Sequence, residues 1–376
     1  MKRTLISLLL VVVIISFGSY AKDKKAMIEK KSFGTLADGR EATLYTLTNA
    51  VGSQVKITNF GAVVVSLIVP DKDGKFGNVV LGYDTIQGYE HTTTYFGAIV
   101  GRYGNRIGKA QFTIDGQTYH VTPNDGGNSL HGGRIGFNKV LWNVVGESSS
   151  KEPSLKLQYV SRDGEEGFPG TVTLTVTYTF TNKNELKIDY TGKTDKATVL
   201  NPTNHSYFNL SGDFTNTILD ELVTIESDST TPVAKGLIPT GVLASVENTP
   251  FDFRKPTAIG ARINADDEQI KLGGGYDHNW VIRKYNKKVR KAAEVYDTKS
   301  GRVLTVLTDQ PGLQFYTGNF LNGHDKGNGV SYQRRTGLCM EAQGFPDTPN
   351  KPQFPSVTLR PGKVYHQTTI YQFTTK

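Results

Sequence analysis

The sequence predicts an all-β protein, a large antiparallel β-sandwich, and three observations carry that expectation. "TVTLTVTYTF" (Thr171 to Phe180) alternates threonine with apolar residues, the period-2 pattern of a half-buried strand. Turn signals recur between short apolar runs, and 40 glycines suit many tight turns. Helical periodicity is nearly absent, with only Thr257 to Lys271 spaced as a short helix.

The elements follow in order. "VVVSLIVPDKDGKFGNVVLGY" (63–83) reads as a hairpin with a charged, glycine-containing tip. "QFTIDGQTYHV" (111–121) reads as a second, turning at Asp115-Gly116. "VTLRPGKVYHQTTIYQF" (357–373) reads as a third, turning at Pro361-Gly362 and ending the chain. No repeat period, low-complexity tract or Pro/Ser-rich linker divides the sequence, so residues 22–376 are expected to form one domain.

Residues Met1 to Ala21 are read separately. Lys2 and Arg3 precede an apolar run from Leu5 to Phe17, and Ser19-Tyr20-Ala21 offers small residues at a cleavage site. The run is shorter than the roughly 18 residues of a membrane-spanning helix. The expectation is a signal peptide over 1–21 and an exported, periplasmic or secreted bacterial protein with no stable membrane association after cleavage. Asn204-His205-Ser206 and Asn209-Leu210-Ser211 are glycosylation acceptors inside a polar motif that a glycan would crowd. That favours a bacterial periplasm over a eukaryotic secretory pathway.

The single cysteine, Cys339, cannot make an internal disulfide, so stability has to come from a large core. Cys339 is given no part in the chemistry. Losing Lys2 and Arg3 would lower the formal net charge from +8 to about +6. No nucleic-acid motif accompanies it, and the basic cluster Arg283 to Lys291 reads as the cap of a solvated hairpin. No nucleic-acid partner is expected.

Several reaction classes are struck off. No G-x-S-x-G elbow, H-E-x-x-H helix or phosphate-cradling G-x-x-x-x-G-K-[ST] occurs. The seven histidines lack the paired spacings of a zinc site, so no metal and no cofactor is expected. Acid–base work by histidine and carboxylate remains.

Five polar clusters interrupt the strands: "GRYGNRI" (101–107), "NSLHGG" (128–133), "NPTNHSYFNL" (201–210), "GGYDHNWVI" (274–282) and "EAQGFPD" (341–347). Each sets ionisable or amide groups beside glycine, proline or aromatics, the mixture a carbohydrate site needs. Together, with "GFNKVLW" (136–142) and "PGLQFYTGNF" (311–320), they closely resemble the aldose 1-epimerase (galactose mutarotase) family from about Phe33 to the final strand.

The resemblance implies the family's galactose mutarotase-like supersandwich, with a small-molecule sugar in a cleft on its face. It implies Glu341 as general base, His205 as general acid and His131 as a second, supporting histidine. For sugar binding it implies Asn105, Arg106 (rather than Arg102), His131, Tyr207, Asp277 and Gln314. His91, His120, His278, His324 and His366 are left structural or solvated. The activity implied is anomer interconversion of free hexoses such as glucose and galactose. A sugar-binding module without catalysis, and a sugar-phosphate epimerase or lyase on the same fold, stay open beside it.

Overall fold

The computed structural model describes residues 26–149 and 151–376, and most of its regular structure is strand. The expected signal segment lies outside the described residues. Three antiparallel sheets organise the chain. A five-stranded meander runs in chain order through Met27–Thr35, Glu41–Thr48, Gln54–Thr58, Val63–Pro70 and Phe76–Asn78. The last two strands are the first expected hairpin, with Ile68 opposite Asn78.

The nine-stranded sheet forms around the alternating segment. Val172–Phe180 buries every second residue and pairs with Ser154–Ser161 on one side and Glu185–Thr194 on the other. Its inward side chains, Val172, Leu174, Val176, Tyr178 and Phe180, belong to a core shared by all three sheets. Burying each such apolar side chain is worth about 1.5–3 kcal/mol. Cys339 is a free thiol, so this core stands in place of cross-links among the described residues.

The six-stranded sheet positions the candidate site. Its order is Tyr207–Phe208, Leu338–Gln343, Gly312–Tyr316, Asp277–Ile282, Ser227–Thr231 and Ala244–Ser245. Strand alternation splits it into two faces. Leu338, Met340, Ala342, Leu313, Phe315, Trp280 and Ile282 enter the core. The Tyr371 hydroxyl and the Gln367 amide, on the last strand of the nine-stranded sheet, donate to the carbonyls of Met340 (2.8 Å) and Ala342 (3.1 Å). Those bonds stitch the sheets together and leave Cys339, Glu341 and Gln343 on the opposite face.

Two expectations are corrected and a third, the short helix, is narrowed. Pro361-Gly362 does turn the chain, with Lys363 N–H bonded to Arg360 O, but no hairpin results. Thr358–Leu359 pairs with Thr198–Val199, whereas Tyr365–Thr375 inserts between Glu185–Thr194 and Arg302–Thr308. Arg283 to Lys291 likewise joins strands of two different sheets, and Arg283 pairs with Asp228. Within Thr257–Lys271 only the end is α-helical: Glu268–Gly273, started by the Asp267 carboxylate accepting from the Gln269 and Ile270 N–H groups. A second short helix, Ile86–His91, has no sequence signal beyond buried Ile86 and Tyr89.

Candidate active site

The amides of "NPTNHSYFNL" tie loops together. Asn201 Oδ1 accepts the Gly344 N–H (2.7 Å) and its Nδ2 donates to Gly104 O (3.3 Å), joining this segment to two other polar clusters. Asn204 donates to Gly97 O, and Asn209 to Asn216 O and Thr336 O. Both are buried and committed to backbone, so neither acceptor asparagine is open to a glycan in the fold. His205 sits between these anchors, its N–H bonded to Ala98 O (2.8 Å).

Glu341 comes from the middle of the Leu338–Gln343 strand, directly opposite Gln314. His205 Nε2 lies 3.6 Å from Glu341 Oε1. The His205 ring stacks with two tyrosines, Tyr95 at 5.6 Å and 25° and Tyr207 at 5.0 Å and 20°. Cys339 Sγ approaches the other ring nitrogen, Nδ1, at 3.5 Å.

His131 stands beside them, its ring edge-on to His205 at 5.1 Å. The Asn105 N–H donates to His131 Nδ1 (3.1 Å), so in the neutral ring the proton sits on Nε2. Two glycines follow, as His-Gly-Gly demands: a Cβ on Gly132 would lie 1.9 Å from Gly101 O. Arg106 donates to Asp125 (2.7 Å) and approaches Asp277 at 4.0 Å. Gln314 Nε2 donates to Asp277 Oδ1 (2.7 Å).

Burial dominates the electrostatics. It pushes Glu341 well above the usual carboxylate range, reinforced by the Asp277 charge and opposed by Arg106. It pushes His205 down to about 4, and His131 well down, helped there by His205 and Arg106. Asp277 is raised by burial, against Arg106 and the Gln314 hydrogen bond. Two buried carboxyl groups and two buried imidazoles therefore share one compartment. Glu341 Oε2 and Gln314 Oε1 have no hydrogen-bond partner among the described residues. Buried polar atoms of this kind are normally satisfied by water or ligand.

Asn105, Arg106, His131, His205, Tyr207, Asp277 and Glu341 line one cleft of about 350 Å³. Gln314 is not on the lining itself but donates to Asp277, which is. Arg102 is absent from it: its guanidinium is buried and donates to Ser161 Oγ and to the carbonyls of Pro169 and Gly170. His278 is buried against Phe251 on the core side.

Sequence reasoning missed Tyr95, Tyr316, Phe320 and His324, which also line the cleft. Tyr316 was within reach, two residues from Gln314 on one strand and so on the same face. It also missed the amides of Asn279 and Gln343, which continue the polar face, buried and without hydrogen-bond partners among the described residues. The spacing argument against a metal is corrected too, because ligand atoms of His131, His205 and Glu341 lie within 4.8 Å of one another. Sequence spacing cannot show groups that meet only through the fold. The donor set still fits a metal poorly, since His131 turns an N–H rather than a lone pair away from Asn105.

Comparison with known proteins finds relatives that match most of the chain. The family described as aldose 1-epimerase matches residues 43–372. Galactose mutarotase from Rattus norvegicus is 43% identical over 347 residues, covering 92% of this chain and 98% of that protein. Aldose 1-epimerase from Escherichia coli (strain K12) is 37% identical over 338 residues, 89% of this chain and 96% of that one. The crystal structure of galactose 1-epimerase from Lactobacillus acidophilus NCFM superposes with a TM-score of 0.82 at 29% identity, covering 93% and 99% of the two chains.

These relatives correct the expectation of an exported, periplasmic or secreted protein. That expectation rested on the composition of Met1 to Ala21 and on the glycosylation acceptors at Asn204 and Asn209. The relatives that match about nine-tenths of the chain include mammalian galactose mutarotases, which are cytosolic. With a match spanning its sheets and every cluster around the cleft, the chain belongs to the aldose 1-epimerase family.

Proposed function

We propose that this protein interconverts the α and β anomers of free hexoses, glucose and galactose among them, by opening and reclosing the sugar ring. The observation that carries the proposal is the buried Glu341–His205 pair, 3.6 Å apart on the wall of a polar cleft. Ring opening needs a base for the C1 hydroxyl proton and an acid for the ring oxygen, acting together. A carboxylate and an imidazolium side by side supply both, and each is worth about 10²–10⁴-fold.

In the forward direction Glu341 takes the C1 hydroxyl proton while His205 Nε2 gives a proton to the ring oxygen. The C1–O bond to the ring breaks and an aldehyde forms. After rotation about C1–C2 the steps reverse: neutral His205 takes the proton from the attacking hydroxyl, and Glu341 returns one to the carbonyl oxygen. The pair begins and ends with one proton between its members. Opposite shifts, Glu341 upward and His205 downward, favour the shared proton on Glu341 in the sugar-free cleft, so it passes to His205 before the forward step.

The remaining residues hold the sugar. His131 offers its Nε2–H, while Arg106 and Asp277 offer a guanidinium and a carboxylate for adjacent hydroxyls. Gln314 steadies Asp277, Asn105 fixes the His131 tautomer through its backbone N–H, and Tyr207 fixes the plane of His205.

A sugar-phosphate substrate is disfavoured by Arg102. The Arg102 guanidinium is committed to carbonyl oxygens, which leaves Arg106 as the one arginine on the cleft lining among the described residues. A binding module has no use for a paired base and acid. Polarimetry of freshly dissolved α-D-glucose and α-D-galactose with the purified protein tests the reading. Accelerated decay of rotation is expected, and a rate equal to the buffer blank leaves only binding.

A further inference from the structure

We infer that Cys339 is a positioning residue that holds the proton of His205 on Nδ1 and so makes Nε2 the nitrogen that exchanges protons with the sugar. The inference deepens the proposed function and rests on its reading of His205 as the proton donor.

The geometry around the imidazole carries it. Tyr95 and Tyr207 both stack on the ring, at 25° and 20° to its plane, and so restrain its tilt. Within that plane each nitrogen faces one side chain: Nε2 meets Glu341 Oε1 at 3.6 Å, and Nδ1 meets Cys339 Sγ at 3.5 Å. Cys339 is fully buried, one pleat along the strand from Glu341, so the same backbone places both partners. Its thiol is pushed well up by burial and by the Glu341 and Asp277 charges, which keeps the sulfur neutral.

The reaction cycle decides which way the proton points. A neutral imidazole carries one N–H. After His205 protonates the ring oxygen, Nε2 must hold a lone pair to take a proton back when the ring recloses. Nδ1 must therefore keep its hydrogen, and sulfur, a weak acceptor, is the group placed to receive it. With Nδ1 unheld, the neutral ring could place its hydrogen on Nε2, and that form cannot accept the returning proton. The partner at the second nitrogen fixes the tautomer of a working histidine in this way.

The test combines a spectroscopic and a kinetic readout on the intact protein. Long-range ¹H–¹⁵N spectra of histidine-labelled protein, with His205 assigned by its loss in His205→Asn, report the tautomer directly. In the wild type Nδ1 is expected to carry the proton. In Cys339→Ala the signals should move toward a tautomer mixture. Its kcat should fall by about two- to tenfold, the worth of one ordinary hydrogen bond, with KM little changed. Cys339→Ser, which restores an acceptor, should recover most of both.

A wild-type spectrum with Nδ1 unprotonated overturns the inference, as does a Cys339→Ala protein with an unchanged tautomer and kcat. If His205→Asn keeps full turnover while Cys339→Ala still shifts the tautomer, the proton-donor reading has failed and Cys339 nevertheless sets the tautomer.

Discussion

Glu341 Oε1 and His205 Nε2 face each other at 3.6 Å, and both side chains are buried. They arrive from different parts of the fold: Glu341 from a central strand, His205 from a loop pinned by Asn201 and Asn204. Burial shifts the two in opposite directions, and the predictions below follow from that pairing and its surroundings.

The pH profile should be flat through neutrality. The groups facing His205 are Glu341, Cys339, His131, Tyr95 and Tyr207, while Arg106 and Asp277 act on Glu341. His205 is lowered to about 4, so the pair gains a second proton, and loses activity, only as pH falls toward that value. Glu341 is raised by burial and the Asp277 charge, so the shared proton is held above the usual carboxylate range. Measured kcat/KM should therefore hold below the ordinary imidazole value of about 6.5. An acid limb at that ordinary value would contradict the pairing.

Asp277→Asn should weaken binding more than turnover. The carboxylate lies 4.0 Å from Arg106 and accepts from Gln314, but it does not touch the proton-exchanging pair. KM should rise by about tenfold or more, the cost of losing a charged hydrogen bond, with a smaller fall in kcat. Saturation kinetics on galactose separate the two, and an unchanged KM with collapsed kcat would place Asp277 in the chemistry instead.

Chelators should leave turnover unchanged. His131, His205 and Glu341 are close enough to hold an ion, but the Asn105 N–H keeps the free nitrogen of His131 protonated. Activity measured after dialysis against EDTA should match the untreated protein, and loss restored by added zinc would show a metal at work.

Gly132→Ala should be severe and Gly126→Ala mild. Both have positive φ, but only at Gly132 would the new methyl strike backbone, 1.9 Å from Gly101 O. The first should cost more than about 3 kcal/mol through strain and clash, the second about 1 kcal/mol from its left-handed conformation alone. Urea midpoints measure both, and the Gly132 variant should also lose turnover because His131 is its neighbour.

Much of this was legible in the sequence. The period-2 run of Val172–Phe180 reads directly as a strand because one face of it is buried and the other is half exposed. The polar clusters could be picked out because carbohydrate chemistry needs polar groups next to glycine and aromatics, while the roles of single residues within them came from the family resemblance. Pairing partners were not legible. Thr358–Leu359 and Tyr365–Thr375 look like a hairpin locally, yet their hydrogen bonds go to strands far along the chain. Contacts made by tertiary approach were equally hidden: Tyr95 against His205, and Cys339 at its Nδ1, follow no spacing rule. Cys339 looked inert because a lone cysteine gives no pattern to read.

The most direct test of the account is kcat for Glu341→Gln beside His205→Asn and the double variant, followed by polarimetry on α-D-galactose. Glutamine keeps the shape and some hydrogen bonding of Glu341 but removes the base. Each single change should lower kcat by about 10²–10⁴-fold. The double variant should lose far less than the product of the two, because groups acting as a unit are not additive. Near-normal kcat in Glu341→Gln would contradict the proposed mechanism outright.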